Sequence, residues 1–140
     1  MNIPIEILKI KDNLRDGILI LCRVHINGKE FRTLIDTGSS TTVFNIKKSN
    51  EISTNEIETN KQIISTVNGN IKSKYITINE MKIGDIIIKD YKIILIDLES
   101  INEHFRNNGK PLIDGIIGGD ILLDYKSIID YDKKELILKS

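Results

Sequence analysis

The chain has 140 residues, of which 40% are hydrophobic and 29% charged, a balance typical of one globular domain. Twenty basic and twenty acidic side chains cancel, so electrostatics gives no reason to expect nucleic acid or an anionic membrane as a partner. No linker, repeat or low-complexity tract divides the sequence, and residues 1–140 are therefore interpreted as a single domain.

The first quarter of the chain predicts three strands. Ile3 to Lys11 alternates apolar and polar residues, Ile18 to Ile26 predicts a more buried strand, and Phe31 to Ile35 predicts the strand that returns. Asn27-Gly28, between the last two strands, is a strong hairpin signal. The hairpin ends directly at Asp36, so this acid lies where a strand ends, which is a rigid place to hold a functional group.

The middle of the chain predicts a second hairpin among further short elements. Gln62 to Thr66 and Ile71 to Ile78 flank an Asn-Gly turn at Val67, Asn68, Gly69 and Asn70. The other predicted elements are a short helix at Lys47 to Glu51, strands at Ile86 to Ile88 and Lys92 to Ile96, and one or two helical turns within Leu98 to Asn107.

The final part of the chain predicts a strand, a short helix and a hairpin. The segment from Ile113 to Gly119 is a strand that ends in glycines, and Asp120 is predicted to cap a helix running through Leu122 to Tyr125. Ile128 to Tyr131 and Leu136 to Lys139 then pair as a hairpin. Many short strands with regular turns and one or two short helices indicate an all-β, barrel-like domain.

The segment from Leu34 to Ser40 places a carboxylate, Asp36, in a tight turn with Thr37 and Gly38. Burial disfavours the charged form of an acid, so a carboxylate at the end of an apolar strand is costly unless it is compensated or used. The motif occurs once in the chain. It is therefore the leading candidate for a catalytic group.

Other reactive side chains favour structural roles. Cys22 ends the apolar run that starts at Ile18, so we expect a small buried hydrophobe and not a nucleophile. His25 and His104 have no partner at metal-ligand spacing. The sequence therefore predicts neither a metal site nor a cofactor.

Asp36-Thr37-Gly38-Ser39, followed downstream by Gly115-Ile116-Ile117-Gly118, resembles the aspartic proteases, specifically their retroviral-protease-like (retropepsin-like) branch. The stretch from Ile113 to Leu138 is most similar to bacterial members, and the order of parts agrees over roughly residues 14 to 139. The resemblance implies an all-β, single-domain retropepsin-like acid protease barrel with one or two short helices, working as a symmetric homodimer.

A single motif per chain explains why the resemblance implies a dimer. Hydrolysis of a peptide bond by carboxylates needs one group as base toward water and another as acid toward the carbonyl oxygen. Two adjacent carboxylates supply both, because they share one proton, a behaviour already known for this class of enzyme. The implied function is that of an aspartic endopeptidase in which two copies of Asp36 activate a water between them.

The resemblance also assigns roles within the turn. Asp36, Thr37 and Gly38 are the catalytic positions: Gly38 offers its amide to the carboxylate, and the Thr37 hydroxyl reaches across to the partner's turn. Ser39 is implied to support them by bonding the outer carboxylate oxygen. Favouring the ionised form in this way predicts an activity optimum at acidic pH.

Further positions are implied to bind substrate. Thr66, Val67, Asn68 and Gly69 form the flap that closes over a peptide, and Ile116 lines an apolar side-chain pocket. Ile117 and Gly118 would pack behind the turn.

Gly119 stands where retroviral enzymes usually carry an arginine, so the ion pair made by that arginine is absent. The retroviral interface is therefore not assumed to transfer. The terminal segments 3 to 10 and 127 to 139 are the interface candidates, and Asp120 remains as a helix cap.

The expected partners are a peptide or protein substrate and a second copy of the chain, with no nucleic acid and no membrane. No basic region followed by a long apolar stretch opens the sequence, and a cytoplasmic location is the expectation. One alternative is a dimeric module that binds peptides in the cleft but cleaves nothing efficiently. Another is a domain of a larger polyprotein that processes itself.

Overall fold

The computed structural model describes residues 2–11, 16–52, 60–66 and 69–140, with the backbone alone for 60–66 and 69–72. The strands are β1 (Asn2–Pro4), β2 (Glu6–Ile10), β3 (Gly17–Ile26), β4 (Lys29–Ile35), β5 (Val43–Asn45), β6 (Asn60–Thr66), β7 (Gly69–Ile83), β8 (Ile86–Ile96), β9 (Gly115–Ile117), β10 (Ile128–Asp130) and β11 (Glu135–Ile137). The helices are α1 (Ser49–Ile52), which follows a 3-10 turn at Ile46–Lys48, α2 (Glu99–Asn107) and α3 (Gly119–Asp124).

Six strands close into a barrel in the order β3, β4, β9, β5, β8 and β7. The ring closes where β7 returns to β3, with His25 opposite Lys82 and Ile26 opposite Met81. Strands β2 and β6 extend the sheet beyond the ring, at β3 and β7 respectively. The predicted all-β barrel with short helices is therefore confirmed.

A parallel pairing inside the barrel positions the Asp36 motif. Strands β4 and β9 run side by side, with Leu34 opposite Ile116 and Ile35 opposite Ile117. Because parallel strands end at the same edge of a sheet, Asp36 emerges beside Gly118. Two segments about 80 residues apart in sequence thus meet at one point.

The Asn27-Gly28 hairpin forms with the turn chemistry that its sequence favours, and the strands of the second predicted hairpin pair as expected. Asn27 and Gly28 both have positive φ, 54° and 76°, as a two-residue turn of type I′ requires. Strands β6 and β7 pair antiparallel up to Thr66 opposite Gly69. Val67 and Asn68, predicted at the tip of this hairpin, lie outside the described residues.

Two apolar clusters fill the fold. The larger one occupies the barrel and contains Phe31 and Phe44, whose rings meet edge to face with centroids 6.2 Å apart. The second cluster packs Phe105 of α2 against Leu34 and Ile116. Cys22 is buried in the larger cluster, as predicted, and burial raises the pKa of its thiol to about 11.

Several boundaries differ from the sequence-based expectation. Ile3 to Lys11 is not one strand but two: β1 pairs with β11 in a separate terminal sheet of order β1-β11-β10, and β2 pairs with β3. The break falls at Ile5, where the chain changes partners and the amide donates to Lys134 O at 3.0 Å. Conversely, the two strands predicted between Ile86 and Ile96 are one continuous strand, β8.

The predicted capping role of Asp120 is wrong. Helix α3 begins at Gly119, and its N-cap is Gly118, two residues before the predicted cap and without a side-chain bond. The Asp120 carboxylate instead bonds to side chains from other elements. In the described part of the chain, no helix is long and apolar enough to cross a membrane.

Candidate active site

Asp36 sits in a turn of four residues (36–39, the Asp36 turn) that follows β4. Its amide donates to Ile117 O at 3.0 Å, and its carbonyl accepts from the Ser39 amide at 3.1 Å. The carboxylate oxygen Oδ1 accepts from the Gly38 amide at 2.9 Å, as the resemblance implies. Both the backbone and the side chain of Asp36 are therefore held by backbone groups.

The sequence around Asp36 explains why the turn has this form. Leu34 and Ile35 are buried and anchor the end of β4, while Asp36 is half-buried and Thr37 and Gly38 are exposed. A Cβ at position 38 would lie 3.2 Å from Asp36 Oδ1, so glycine leaves room for the carboxylate to meet the amide. The acid is thus presented at the surface from a rigid base.

Ser39 does not make the contact expected of it. Its hydroxyl donates to Thr41 O at 2.8 Å, and a hydroxyl has a single hydrogen to donate. The bond from Ser39 to the outer oxygen of Asp36 is therefore not formed in the single chain. The hydroxyl instead fixes the exit of the turn.

A short glycine segment (residues 117–119) packs directly behind the Asp36 turn. Ile117 O accepts from the Asp36 amide, and the Gly119 amide donates to Ser39 O at 2.7 Å. A Cβ at Gly118 would lie 2.7 Å from Ser39 O and 2.8 Å from Thr41 O, closer than real contacts allow. Glycine at 118 is therefore required by the close approach of two backbones, which agrees with the predicted packing.

A polar cluster of the buried Thr42 and the partly buried Tyr91 and Asp120 lies behind the glycine segment. The Thr42 hydroxyl donates to Asp120 Oδ1 at 2.7 Å, while the Thr42 amide at 3.1 Å and the Tyr91 hydroxyl at 2.8 Å donate to Oδ2. Burial opposes ionisation, but these donors outweigh it and lower the pKa of Asp120. Burial and the nearby carboxylate raise the pKa of Tyr91 above its ordinary range.

Sequence reasoning missed this cluster. Thr42 and Asp120 are 78 residues apart and Tyr91 comes from a third element, so no local pattern links them. An acid in the first turn of a helix has an ordinary local explanation, which is the one the sequence suggested.

A cleft of about 250 Å³ opens beside Asp36. It is lined by Ile18, Leu19, Ile20, Leu34, Ile35, Asp36, Thr37, Ile129 and Tyr131. Most of its lining residues carry apolar side chains, while Asp36 and Thr37 supply polar groups. A larger cavity of about 430 Å³ shares none of these residues and lies on another part of the barrel.

Ile116 is not among the residues that line this cleft. Its side chain is 6% exposed and packs in the second apolar cluster with Leu34 and Phe105. The parallel pairing of β9 with β4 turns it inward. It has little surface to offer a substrate in the single chain.

The hairpin that the sequence interpretation assigned as a flap is formed by β6 and β7. Thr66 and Gly69 form its last described pair. Val67 and Asn68 fall outside the described residues, so the contacts of the tip with a substrate stay a prediction.

Comparison with known proteins agrees with this geometry. Residues 22–121 match the sequence profile of the aspartyl protease family, which includes the Asp36 turn and the glycine segment. A search by sequence among characterised proteins gave no match.

Two solved structures share the fold. A retropepsin-like aspartic protease from Rickettsia conorii superposes with a TM-score of 0.60 at 20% identity, covering 95% of this chain and 98% of that one. The retroviral protease-like domain of Ddi1 from Leishmania major gives a TM-score of 0.58 at 14% identity, covering 86% and 87%. The profile match spans most of the chain, and the protein therefore belongs to the aspartyl protease family and has a retropepsin-like fold.

Proposed function

We propose that the protein is an aspartic endopeptidase whose active site is assembled from two copies of the chain, each contributing Asp36. The observation that carries the proposal is the presentation of one carboxylate at the surface, in a turn held by Ile117 O and the Gly38 amide. Thr37 and Gly38 beside it are exposed and free to face a partner. The acid is half of the pair that the chemistry needs.

The proposed reaction uses both carboxylates of the dimer. One is ionised and takes a proton from water as the water oxygen bonds to the peptide carbonyl carbon. The other is protonated and gives its proton to the carbonyl oxygen. The tetrahedral diol then collapses: the C–N bond breaks, a proton from the carboxyl pair passes to the leaving nitrogen, and one hydroxyl proton of the diol returns to the pair as the carbonyl forms again. The pair ends with the single proton with which it began.

The surface around the cleft supports assembly through the terminal strands. Strand β10 is the outer strand of the terminal sheet and, within the described residues, pairs only with β11. Ile18 and Tyr131, at the rim of the Asp36 cleft, are 49% and 56% exposed. An unpaired edge with apolar neighbours suits a self-complementary contact about a two-fold axis.

The proposed substrate is a peptide bound in extended form. The β6–β7 hairpin is the proposed flap, with Thr66, Val67, Asn68 and Gly69 closing over the chain and bonding its backbone. The apolar side chains that line most of the cleft favour aliphatic or aromatic side chains next to the scissile bond. In the dimer, Thr37 is proposed to bond across to the partner's turn.

The proposal predicts activity under acidic conditions. The carboxyl pair works only while it holds one shared proton, so cleavage should reach a maximum under acidic conditions and fall again where both carboxyls are protonated. Cleavage therefore declines toward neutral pH as the shared proton is lost.

The test is incubation with a mixed peptide library between pH 3 and 7, comparing wild type with Asp36→Asn. Asn keeps the shape of the side chain and can neither accept the water proton nor supply an acid. We expect wild type to cleave and Asp36→Asn to be inactive while remaining folded and dimeric by light scattering. Wild type that binds peptides as a dimer but cuts nothing would instead favour a binding module, and a strict monomer would contradict the mechanism.

A further inference from the structure

The backbone behind the Asp36 turn is held by a chain of hydrogen bonds that starts from a second acid. Tyr91 donates to Asp120 Oδ2 at 2.8 Å, and Thr42 Oγ1 donates to Asp120 Oδ1 at 2.7 Å. The same Thr42 oxygen accepts from the Gly118 amide at 3.0 Å. Because the Thr42 hydroxyl gives its one hydrogen to Asp120, its lone pairs are directed to Gly118.

The glycine segment carries this restraint to the Asp36 turn. Ile117 O accepts from the Asp36 amide, and the Gly119 amide donates to Ser39 O, so bonds reach both ends of the turn. The Gly118 amide, between these two contacts, is the point where Thr42 holds the segment. A small shift of Gly118 would displace both ends of the turn together.

The bond between Thr42 and Gly118 is enclosed, which makes it effective. Thr42 is fully buried and Gly118 is buried, so water does not compete for these groups. Asp120 and Tyr91 are only partly covered, but the carboxylate accepts three donors from two residues. Removing one member would leave a buried donor or acceptor unsatisfied.

We propose that Asp120 and Thr42 are positioning residues that orient the Asp36 carboxylate through the Gly118 amide. Neither touches the reacting atoms. The inference rests on the proposed function, since orientation matters only if Asp36 works in a pair. A carboxylate displaced by a fraction of an ångström loses the near-attack geometry that both proton transfers need.

The experiment is a comparison of Thr42→Val with Thr42→Ser. Valine keeps the buried shape but removes the hydroxyl, whereas serine retains it. We expect kcat to fall on the order of 10- to 100-fold in Thr42→Val, with KM within about twofold of wild type. Thr42→Ser should recover most of kcat.

Thr33→Val is the matched control. Thr33 is also fully buried in the barrel, and its hydroxyl donates to Cys22 O at 2.9 Å without any contact to the glycine segment. It loses the same group from a similar environment, so its stability should fall while kcat stays near the wild-type value. An equal loss of kcat in Thr33→Val, or wild-type kcat in folded Thr42→Val, would overturn the inference.

Asp120→Asn is a second variant that tests the positioning role even if Thr42→Val does not fold. The amide has one acceptor oxygen in place of two, so the donors from Thr42 and Tyr91 cannot all be satisfied. We expect a fall in kcat with little change in KM. Where the double variant Thr42→Val/Asp120→Asn folds, its loss of kcat should be about that of the more damaging single variant, because the two substitutions interrupt the same chain of hydrogen bonds. Unchanged kcat in Asp120→Asn would overturn the inference.

Amide hydrogen exchange separates this inference from the proposed function. Exchange at the amides of Asp36, Gly118 and Gly119 should be faster in Thr42→Val than in Thr33→Val or wild type. If wild type cleaves nothing, the proposed function and any orienting role fail together. The structural link itself fails only if these amides exchange equally in all three proteins.

Discussion

Gly118 is the residue at which the Asp36 turn and the glycine segment come closest. Two backbone oxygens and one carbonyl carbon would lie within 2.8 Å of any Cβ placed there. Gly119, its neighbour, is different: the nearest atom to its Cβ would be Ser39 O at 3.5 Å, an ordinary contact. Gly118 is therefore required because there is no room for a Cβ, whereas the space at Gly119 would accept one.

Replacing Gly118 by alanine should be far more damaging than replacing Gly119. Gly118→Ala forces the Asp36 turn and the glycine segment apart, and we expect it to cost about 1–3 kcal/mol of stability and most of the activity. Gly119→Ala places a good helix former at the first position of α3 and should be neutral or slightly stabilising. Urea unfolding at one fixed protein concentration checks both, and equal costs would contradict the geometric argument.

Asp120 should make the stability of the protein depend on pH in a defined direction. The pKa of its carboxyl is lowered in the folded protein because, although burial opposes ionisation, the Thr42 and Tyr91 donors favour it. A lowered folded-state pKa means that the stabilisation is present above about pH 4 and is lost as pH falls through the folded value.

The measurement compares wild type with Asp120→Asn, which does not titrate. At pH 7 we expect the variant to be less stable by about 1–2 kcal/mol, because donors around position 120 are left unsatisfied. The difference should shrink as pH is lowered below about 4. A difference that is constant from pH 7 to pH 2.5 would contradict the ionised state of Asp120.

At the level of elements, local sequence signals identified the hairpins but missed the point at which the chain changes from one pairing strand to another. The Asn27-Gly28 turn and the β10–β11 hairpin follow from turn chemistry within a few residues. The division of residues 2–10 into β1 and β2 does not, because alternation continues through Ile5 while the pairing partner changes from β11 to β3. Pairing partners are decided by contacts distant in sequence.

The terminal sheet is the element that the proposed dimer depends on. Ile128 on β10 is 45% exposed, and Ile87 at the start of β8 is 47% exposed. Ile87 can therefore serve as the control position for a substitution at Ile128. Ile128→Lys puts a charge on the proposed contact and should shift the protein toward monomer, with activity lost in proportion. Ile87→Lys should leave both unchanged.

Sedimentation or light scattering over a range of protein concentrations measures the fraction of dimer in Ile128→Lys and in Ile87→Lys. Retained dimer in Ile128→Lys, or dissociation in Ile87→Lys, would place the interface elsewhere on the surface. Because the two residues are the same type and about equally exposed, a general effect of lysine on solubility would appear in both.

The whole molecule should be inhibited by its own inactive subunit. A dimer with one Asp36 and one Asn has a single carboxyl group and cannot supply both base and acid. When wild type and Asp36→Asn are refolded together in equal amounts, random pairing leaves about a quarter of dimers intact. Activity per total protein should therefore fall to about a quarter, not a half.

A control subunit distinguishes this effect from simple dilution. Asp36→Asn combined with Ile128→Lys should not enter dimers and should leave about half of the activity per total protein in an equal mixture. A loss proportional to the wild-type fraction for Asp36→Asn alone would mean that one chain is enough for catalysis.

The amino-acid sequence by itself determined the all-β class, the order of elements and the Asp36 motif. Strand alternation, turn residues and an Asp-Thr-Gly segment are local properties, so they can be read without the fold. Tertiary structure alone decided what stands behind that motif. The parallel pairing of β4 with β9 brings Gly118 against the Asp36 turn, and the pairing of β5 with both β8 and β9 brings Thr42 and Tyr91 to Asp120. These contacts join positions far apart in sequence, and only the folded barrel determines which distant groups become neighbours.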